Sequence, residues 1–533
     1  MRYPNQKRTD MRNWLAGLLA AIMSTGAVEA ADRRITILHT NDMHGRHAPF
    51  AVAPGNATSQ TGDPGRSPSQ FSRAGPIGGF ATIAGVVKRT RAERGAENVL
   101  LLDAGDTFSD DLVGNQTQGE AMIRLMNGLG YQFMALGNHD FDYGLERSRE
   151  LQKIANFPMR GANTLESGKP VFGRPWQIFT VHGVRVAVLA LGYHNTGETG
   201  SKKNTAKLTF TSGIETTRRL LPELRRQADV VVLLSHQGTA VDRKLARELA
   251  GVDLIIGGHS HDRIEPPEKI GGTWIVQALS DGTMLGRLTL TVGSDRRLKA
   301  VEGEVLELWN DRFPADPETQ AAVAAADAPY RARMDEVLAT AYDRIGRQYK
   351  SESPFDSLVG GIMREATGAD VAFMPGVGYG VSIEPGPVTR DRLYTLLPHP
   401  TKLVTLGMSG AQILSVLEQS ATNLNPGDDM ERVGGLVQTS GIGWTADLNR
   451  PTGSRVSAVT VKGMPLDPAR RYRVATQVGM LERLHRYAAF AQGSDIHTHK
   501  QTVTELVEAA IKARGTLVAP ATGFVRIIPV VTQ

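Results

Sequence analysis

Val99-Leu100-Leu101-Leu102-Asp103-Ala104-Gly105-Asp106 is a short, continuous apolar run that ends in a glycine turn carrying carboxylates. Four consecutive large aliphatic residues with no polar face fit a strand covered on both sides. The same pattern, apolar run then polar or glycine-rich turn, recurs at Ile35–Leu38, Phe133–Leu136, Val184–Leu191, Val230–Leu234 and Leu254–Ile256. Between the runs lie segments of helical period, among them Gly79–Arg94, Thr211–Gln227 and Val241–Leu249. Strand and helix in alternation predict an α/β architecture of layered sheets and helices. Trp274–Ala278 and Leu288–Val292 follow without helices between them, so mixed sheets are expected. An insertion from Ala48 to Pro76, rich in Gly, Pro, Ser and Ala, interrupts the first unit and is expected to be a surface loop.

The turns after these strands hold carboxylates, amides and imidazoles. They read Thr40-Asn41-Asp42-Met43-His44-Gly45, Asp103-Ala104-Gly105-Asp106, Gly137-Asn138-His139-Asp140-Phe141-Asp142, Ser235-His236-Gln237 and Gly257-Gly258-His259-Ser260-His261-Asp262. Open α/β sheets bind ligands at the carboxyl ends of their strands, so the five turns are expected to converge on one site. Five of the thirteen histidines lie in them. The chain has no cysteine, which excludes thiol nucleophiles, thiolate zinc sites, iron–sulfur clusters and disulfides. Oxygen and imidazole donors suit Mn²⁺, Zn²⁺, Fe²⁺, Co²⁺ or a mixed pair. Two carboxylates, an amide and four histidines exceed the needs of one ion, so two divalent metal ions are expected. Two ions about 3.5–4 Å apart can share a carboxylate, acidify a bound water and clamp a phosphoryl group.

Residues 1–30 carry Arg2, Lys7, Arg8 and Arg12, then an apolar run from Trp14 to Met23 and a small-residue site at Val28-Glu29-Ala30. This is the pattern of a cleaved secretory signal, so a periplasmic or secreted protein is expected. The segment takes a net +2 with it, and the charge of the 533-residue chain falls from +5 to +3. That small balance gives no reason to expect nucleic acid as a partner. No later segment is long and apolar enough to span a bilayer, so no membrane partner is expected either. Asp316-Pro317-Glu318 reads as the start of an Ala-rich helix reaching about Thr340. The expected organisation is a signal at 1–30, a catalytic domain at 31–312, a linker helix at 313–343 and a second α/β domain at 344–533.

The series Asp42-Met43-His44, Gly105-Asp106, Gly137-Asn138-His139-Asp140, His236 and Gly258-His259-Ser260-His261 resembles the calcineurin-like metallophosphoesterase pattern. The fuller first and third turns resemble, more narrowly, the exported 5′-nucleotidase family. The resemblance implies a four-layer αββα metallophosphoesterase sandwich followed by a smaller C-terminal α/β domain of 5′-nucleotidase type. It also implies hydrolysis of a small phosphate ester such as a nucleoside 5′-phosphate. Carried over position by position, Asp42, His44 and His261 would hold one ion, and Asn138, His236 and His259 the other. Asp106 would bridge them. His139 matches the family's catalytic histidine, which Asp142 would orient.

In that family the second domain supplies phosphate-contacting arginines and two rings that sandwich a base. Here the first of its motifs reads Met374-Pro375-Gly376-Val377-Gly378-Tyr379-Gly380, with no arginine. Pro398-His399 stands where Pro-Phe is expected, and Leu484-His485-Arg486-Tyr487 where a Gly-Gly-Asp-Gly loop is expected. Arg432, Tyr379 and Trp444 are the remaining candidates for substrate contact. Phe373-Met374-Pro375-Gly376 and Asp429–Gly435 are similar instead to the sulfur-oxidation thiosulfohydrolases, which act on a sulfur-loaded carrier protein. The intact Gly137-Asn138-His139-Asp140 turn, which that branch lacks, favours phosphoester chemistry. A catalytically silent protein that binds nucleotides or anions is the third alternative.

Overall fold

The computed structural model describes Met1 and residues 32–54, 71–377 and 381–530. The signal-like segment and residue Tyr379 lie outside the described residues. Two sheets dominate the first domain. One runs, in spatial order, Leu208–Phe210, Met159–Glu166, Phe133–Ala135, Val99–Asp103, Arg33–Thr40, Met284–Val292 and Leu298–Glu307. The other runs Arg263–Ile270, Thr273–Ala278, Leu254–Gly257, Val230–Ser235, Val184–Leu191 and Trp176–Val181. The central strands of each are parallel and the edges antiparallel, so both sheets are mixed.

Alternation along the strands explains why their apolar runs are unbroken. Leu100 and Leu102 face the other sheet, where they join Val186, Val188, Val232 and Leu234 in one buried cluster. Leu101 points outward with Leu38, against Ile83 and Val87 of helix Phe80–Arg94 and Met122 and Met126 of helix Glu120–Leu129. Leu189 and Leu233 of the second sheet point outward too, against Ile214, Leu221 and Leu224 of helix Gly213–Gln227 and Leu245 of helix Thr239–Glu248. With apolar neighbours on both faces, no strand position can be polar without cost. The result is the four-layer αββα sandwich.

The insertion between the first two units closes on itself at its base, where Phe50–Val52 pairs antiparallel with Gly75–Ile77. The linker departs from expectation. Asp316 caps the helix by accepting from Thr319 N, but the helix runs only Pro317–Asp327 and does not reach Thr340. Pro329 has no N–H to continue the ladder. Val337–Ala341 is instead a strand, paired with Gly386–Thr389 and Thr516–Leu517, so it belongs to the second domain. That domain is built on a five-stranded sheet in the order Gln438–Ser440, Val371–Met374, Arg471–Gln477, Lys402–Ser409 and Ser494–Thr502. Helix Pro354–Thr367 packs on it with a Ser353 cap, a first-turn proline and Gly368 in the left-handed conformation at its end. No helix among the described residues is long and apolar enough to cross a membrane.

One buried contact ties the linker to the first strand-end turn. His47 Nε2 lies 2.6 Å from Asp327 Oδ1, and His47 Nδ1 lies 2.9 Å from Asp111 Oδ2. Burial alone would lower the pKa of His47, but the two carboxylates outweigh it and hold it well above the usual histidine value. Asp327→Ala should therefore destabilise the protein by about 1–3 kcal/mol in chemical denaturation, because a buried imidazole loses one of its two carboxylate partners.

Candidate metal centre

All five turns open at the same end of the sandwich, and they bring two groups of donors together. Asp42, His44 and His261 form one; Asp106, His236 and His259 form the other, with the donor atoms of each within 4.8 Å of one another. In the first, His44 Nε2 and His261 Nε2 are 3.0 Å apart, and His261 Nε2 is 3.3 Å from Asp42 Oδ1. In the second, His236 Nε2 is 3.0 Å from Asp106 Oδ2. The groups adjoin, since His236 Nε2 is also 3.8 Å from Asp42 Oδ1. Asn138, 4% exposed, lies beside Asp106 and His139 in the same cavity wall.

Local geometry commits the ring nitrogens. His236 Nδ1 donates to Ala104 O at 2.7 Å, so Nε2 carries a lone pair directed into the centre. His44 Nδ1 is held in the same way by Asp110 Oδ2 at 2.9 Å. Neither His236 Nε2 nor Asn138 Oδ1 has a hydrogen-bond partner, although both atoms are buried. Buried donor atoms this close to one another fit divalent cations.

The turns are strained to achieve this. Asp42, His44, Asp106, His259 and His261 have φ of 51°, 46°, 56°, 73° and 53°, in the left-handed region that side chains other than glycine seldom occupy. Asp140 stitches two turns together by accepting from the backbone N–H groups of Gly137, Asp106 and Thr107 at 2.7, 3.0 and 3.0 Å. A Cβ on Gly137 would overlap Asp106 Oδ1, which explains the glycine in the Gly-Asn-His-Asp turn.

His139 stands at the edge of the second group. Its Nδ1 lies 2.7 Å from Asp142 Oδ2, and its backbone N–H donates to Asp106 Oδ1 at 2.7 Å. The structure thus brings all seven expected ligands and the His139–Asp142 pair into one place. Over them lies a cavity of about 50 Å³, whose second-domain wall consists of Tyr349, Gly376, Val377, Gly434 and His485 among the described residues.

The expected substrate contacts fare differently. Trp444 does not reach the site: it is 2% exposed, on strand Ile442–Asp447 in the second domain's apolar core. Its ring contributes packing there, a correction to the role expected from the sequence. Arg432 borders the space beside His259, but its guanidinium braces its own loop, donating to Leu424 O at 2.6 Å and Asp429 Oδ1 at 3.1 Å. Three residues that the turn motifs do not flag are built into the centre. Tyr193 stacks on His259 at 3.8 Å and donates to Arg432 O at 2.8 Å. It follows strand Val184–Leu191, and the rule that strand ends carry the site points to it. His399 is marked in the sequence only as the residue standing where Pro-Phe is expected, and Asp110 carries no signal, because the two meet only through tertiary folding.

Comparison with known proteins agrees with this geometry. Residues 35–263 match the family model described as calcineurin-like phosphoesterase, and residues 332–492 match that of the 5′-nucleotidase C-terminal domain. Fold and site therefore define a metal-dependent phosphoester hydrolase of two domains. The chain belongs to the family in which a calcineurin-like phosphoesterase domain is joined to a 5′-nucleotidase C-terminal domain. Protein UshA of Yersinia enterocolitica is 26% identical over 499 residues, covering 83% of this chain and 84% of that protein. A 5′-nucleotidase precursor from Thermus thermophilus superposes with a TM-score of 0.83 at 29% identity, over 93% of this chain and 99% of that one. The sulfate thiohydrolase SoxB from the same organism gives the same TM-score, 0.83, at 27% identity, over 93% and 96%.

Gly137→Ala should cost about 1–3 kcal/mol of stability, the usual range for an overpacked buried position. It should also lower metal content measured by elemental analysis, since Asp106 must move to admit the methyl group.

Proposed function

We propose that the chain is an exported hydrolase of small phosphate esters that works with two divalent metal ions, and that nucleoside 5′-phosphates or related nucleotides are its leading substrate class. The observation that carries this reading is the buried pair of donor groups with unshared acceptors at His236 Nε2 and Asn138 Oδ1, flanked by His139 and Asp142. Asp42, His44 and His261 would hold one ion and Asn138, His236 and His259 the other, with Asp106 available to both. Bound there, the ions supply water activation and charge neutralisation at the phosphoryl oxygens. His139, held at Nδ1 by Asp142, presents Nε2 to the departing ester oxygen and stabilises the charge that develops on it. The nucleotide preference rests on the retained Gly137–Asp142 turn and on the names of the relatives. The secretory pattern of residues 1–30 supports export to the periplasm or beyond.

The second reading, hydrolysis of a sulfur-loaded carrier protein, is favoured by the second-domain wall. No arginine lines the cavity among the described residues, and Trp444 is committed to the core. Incubating the metal-loaded protein with a nucleotide panel and with a thiosulfonate-loaded carrier separates the two. Phosphate release from nucleotides supports the first reading; sulfate release from the carrier alone replaces it; ligand binding without release of either supports a silent binding protein. Asp106→Ala should abolish turnover and lower metal content together. His139→Ala should leave metal content unchanged and reduce kcat by about 10²–10⁴-fold, the usual contribution of a positioned acid–base group.

A further inference from the structure

The second domain enters the chemistry of the first through one side chain. His399, shortly after helix Arg390–Leu396, places Nε2 3.0 Å from Asp110 Oδ1 and 3.3 Å from Asp142 Oδ2. Its ring stacks on His139, with 5.5 Å between centroids and 16° between planes. Asp110 is buried and reaches the site on two further sides: its Oδ2 lies 2.9 Å from His44 Nδ1 and 3.4 Å from His139 Nδ1. The turn that carries His399 is fixed from both domains. Asn115 Nδ2 donates to Pro398 O at 3.0 Å, and Thr504 Oγ1 donates to His399 O at 3.3 Å.

Asp110 and Asp142 are two carboxylates that both approach His139, in surroundings with little water to screen them. Such a pair needs a donor or a positive charge between its members. His399 supplies the N–H. Burial alone would lower its pKa, but the two carboxylates prevail and push it up to about 9. A phenylalanine ring at this position would stack on His139 equally well and would bond to neither carboxylate. The imidazole therefore does something that ring stacking does not require: it fixes where the oxygens of Asp142 point. Asp142 in turn decides which nitrogen of His139 carries its proton and which faces the cavity.

Resting on the proposed role of His139, we propose that His399 is a positioning residue for the reaction, holding Asp142 and through it the tautomer and ring orientation of His139. The second domain thereby completes the pair that the first domain carries.

The test uses the full metal-loaded chain and four variants: His399→Phe, His399→Gln, Asp142→Asn and the double variant His399→Phe/Asp142→Asn. His399→Phe should lower kcat by about ten- to a hundred-fold with KM changed less than about three-fold, the split expected when transition-state positioning is lost. His399→Gln keeps an N–H donor and should restore kcat to within about three-fold of the parent. In the Asp142→Asn background, His399→Phe should cost less than about two-fold more, because both residues act along one path. Imidazole ¹⁵N NMR reads the His139 tautomer without substrate, and His399→Phe should turn a single Nδ1–H form into a mixture. Additive losses in the double variant, a change confined to KM, or an unchanged His139 tautomer overturns the proposal. Loss of a third equivalent of metal on His399→Phe also overturns it, by making the cluster an ion site. A parent protein inactive on every substrate, with the tautomer still dependent on His399, counts against the proposed function and not against this role.

Discussion

His236 Nε2 and Asp106 Oδ2 face each other at 3.0 Å, and the histidine's proton is already committed to Ala104 O on the ring's other side. Two acceptors in that position repel, and burial removes the water that would otherwise relieve them. The rest of the first domain holds this arrangement in place. Five strained left-handed residues, the glycine at position 137 and the three backbone donors converging on Asp140 keep the turns from relaxing apart. The stability for this comes from the layers beneath, where apolar strands with covered faces leave no alternative register.

The second domain is coupled to the same centre from two directions. On one side Tyr193 stacks on His259 and holds Arg432 O, while His194 and Asn195 bond to Met430 O at 2.7 and 2.9 Å. On the other side His399 bonds to Asp110 and Asp142. The loop from 428 to 435 thus contacts the centre beside His259, and the turn at 398–399 contacts it beside His139. Of these residues, Tyr193 also touches the donor His259, and His399 also touches Asp142, the partner of His139. A shift of the second domain would therefore be felt at His259 and His139 directly.

The first domain was legible in the sequence because its signals are local. An apolar run followed by a glycine turn places each ligand at a strand end, and the parallel order of the strands gathers those ends. Asp42, His44, Asp106, Asn138, His236, His259 and His261 all fall within such turns. The second domain was less legible for the opposite reason. Trp444 stands in an alternating strand that gives no sign of which face is core, and burial of its neighbours Ile442 and Ala446 on the same face decides it. Arg432 has the charge of an anion-binding residue, but its loop carbonyl and acid claim that charge first. The linker helix stops at Asp327 because of Pro329 and because the aspartate is needed by His47, a contact between residues 280 positions apart.

The division of charge across the cavity follows from these assignments and bears on specificity. The first domain contributes the donor groups and His139, whose Nδ1 is held by Asp142. Facing them, the described second-domain wall is Tyr349, Gly376, Val377, Gly434 and His485. Burial pulls the His485 pKa down to about 3, so that ring is neutral at physiological pH. A wall of two glycines, a valine, a phenol and a neutral imidazole recognises by fit and hydrogen bonding, not by ion pairing. Under the proposed function, the countercharge for an anionic group in this cavity comes, among the described residues, from the side of the first domain.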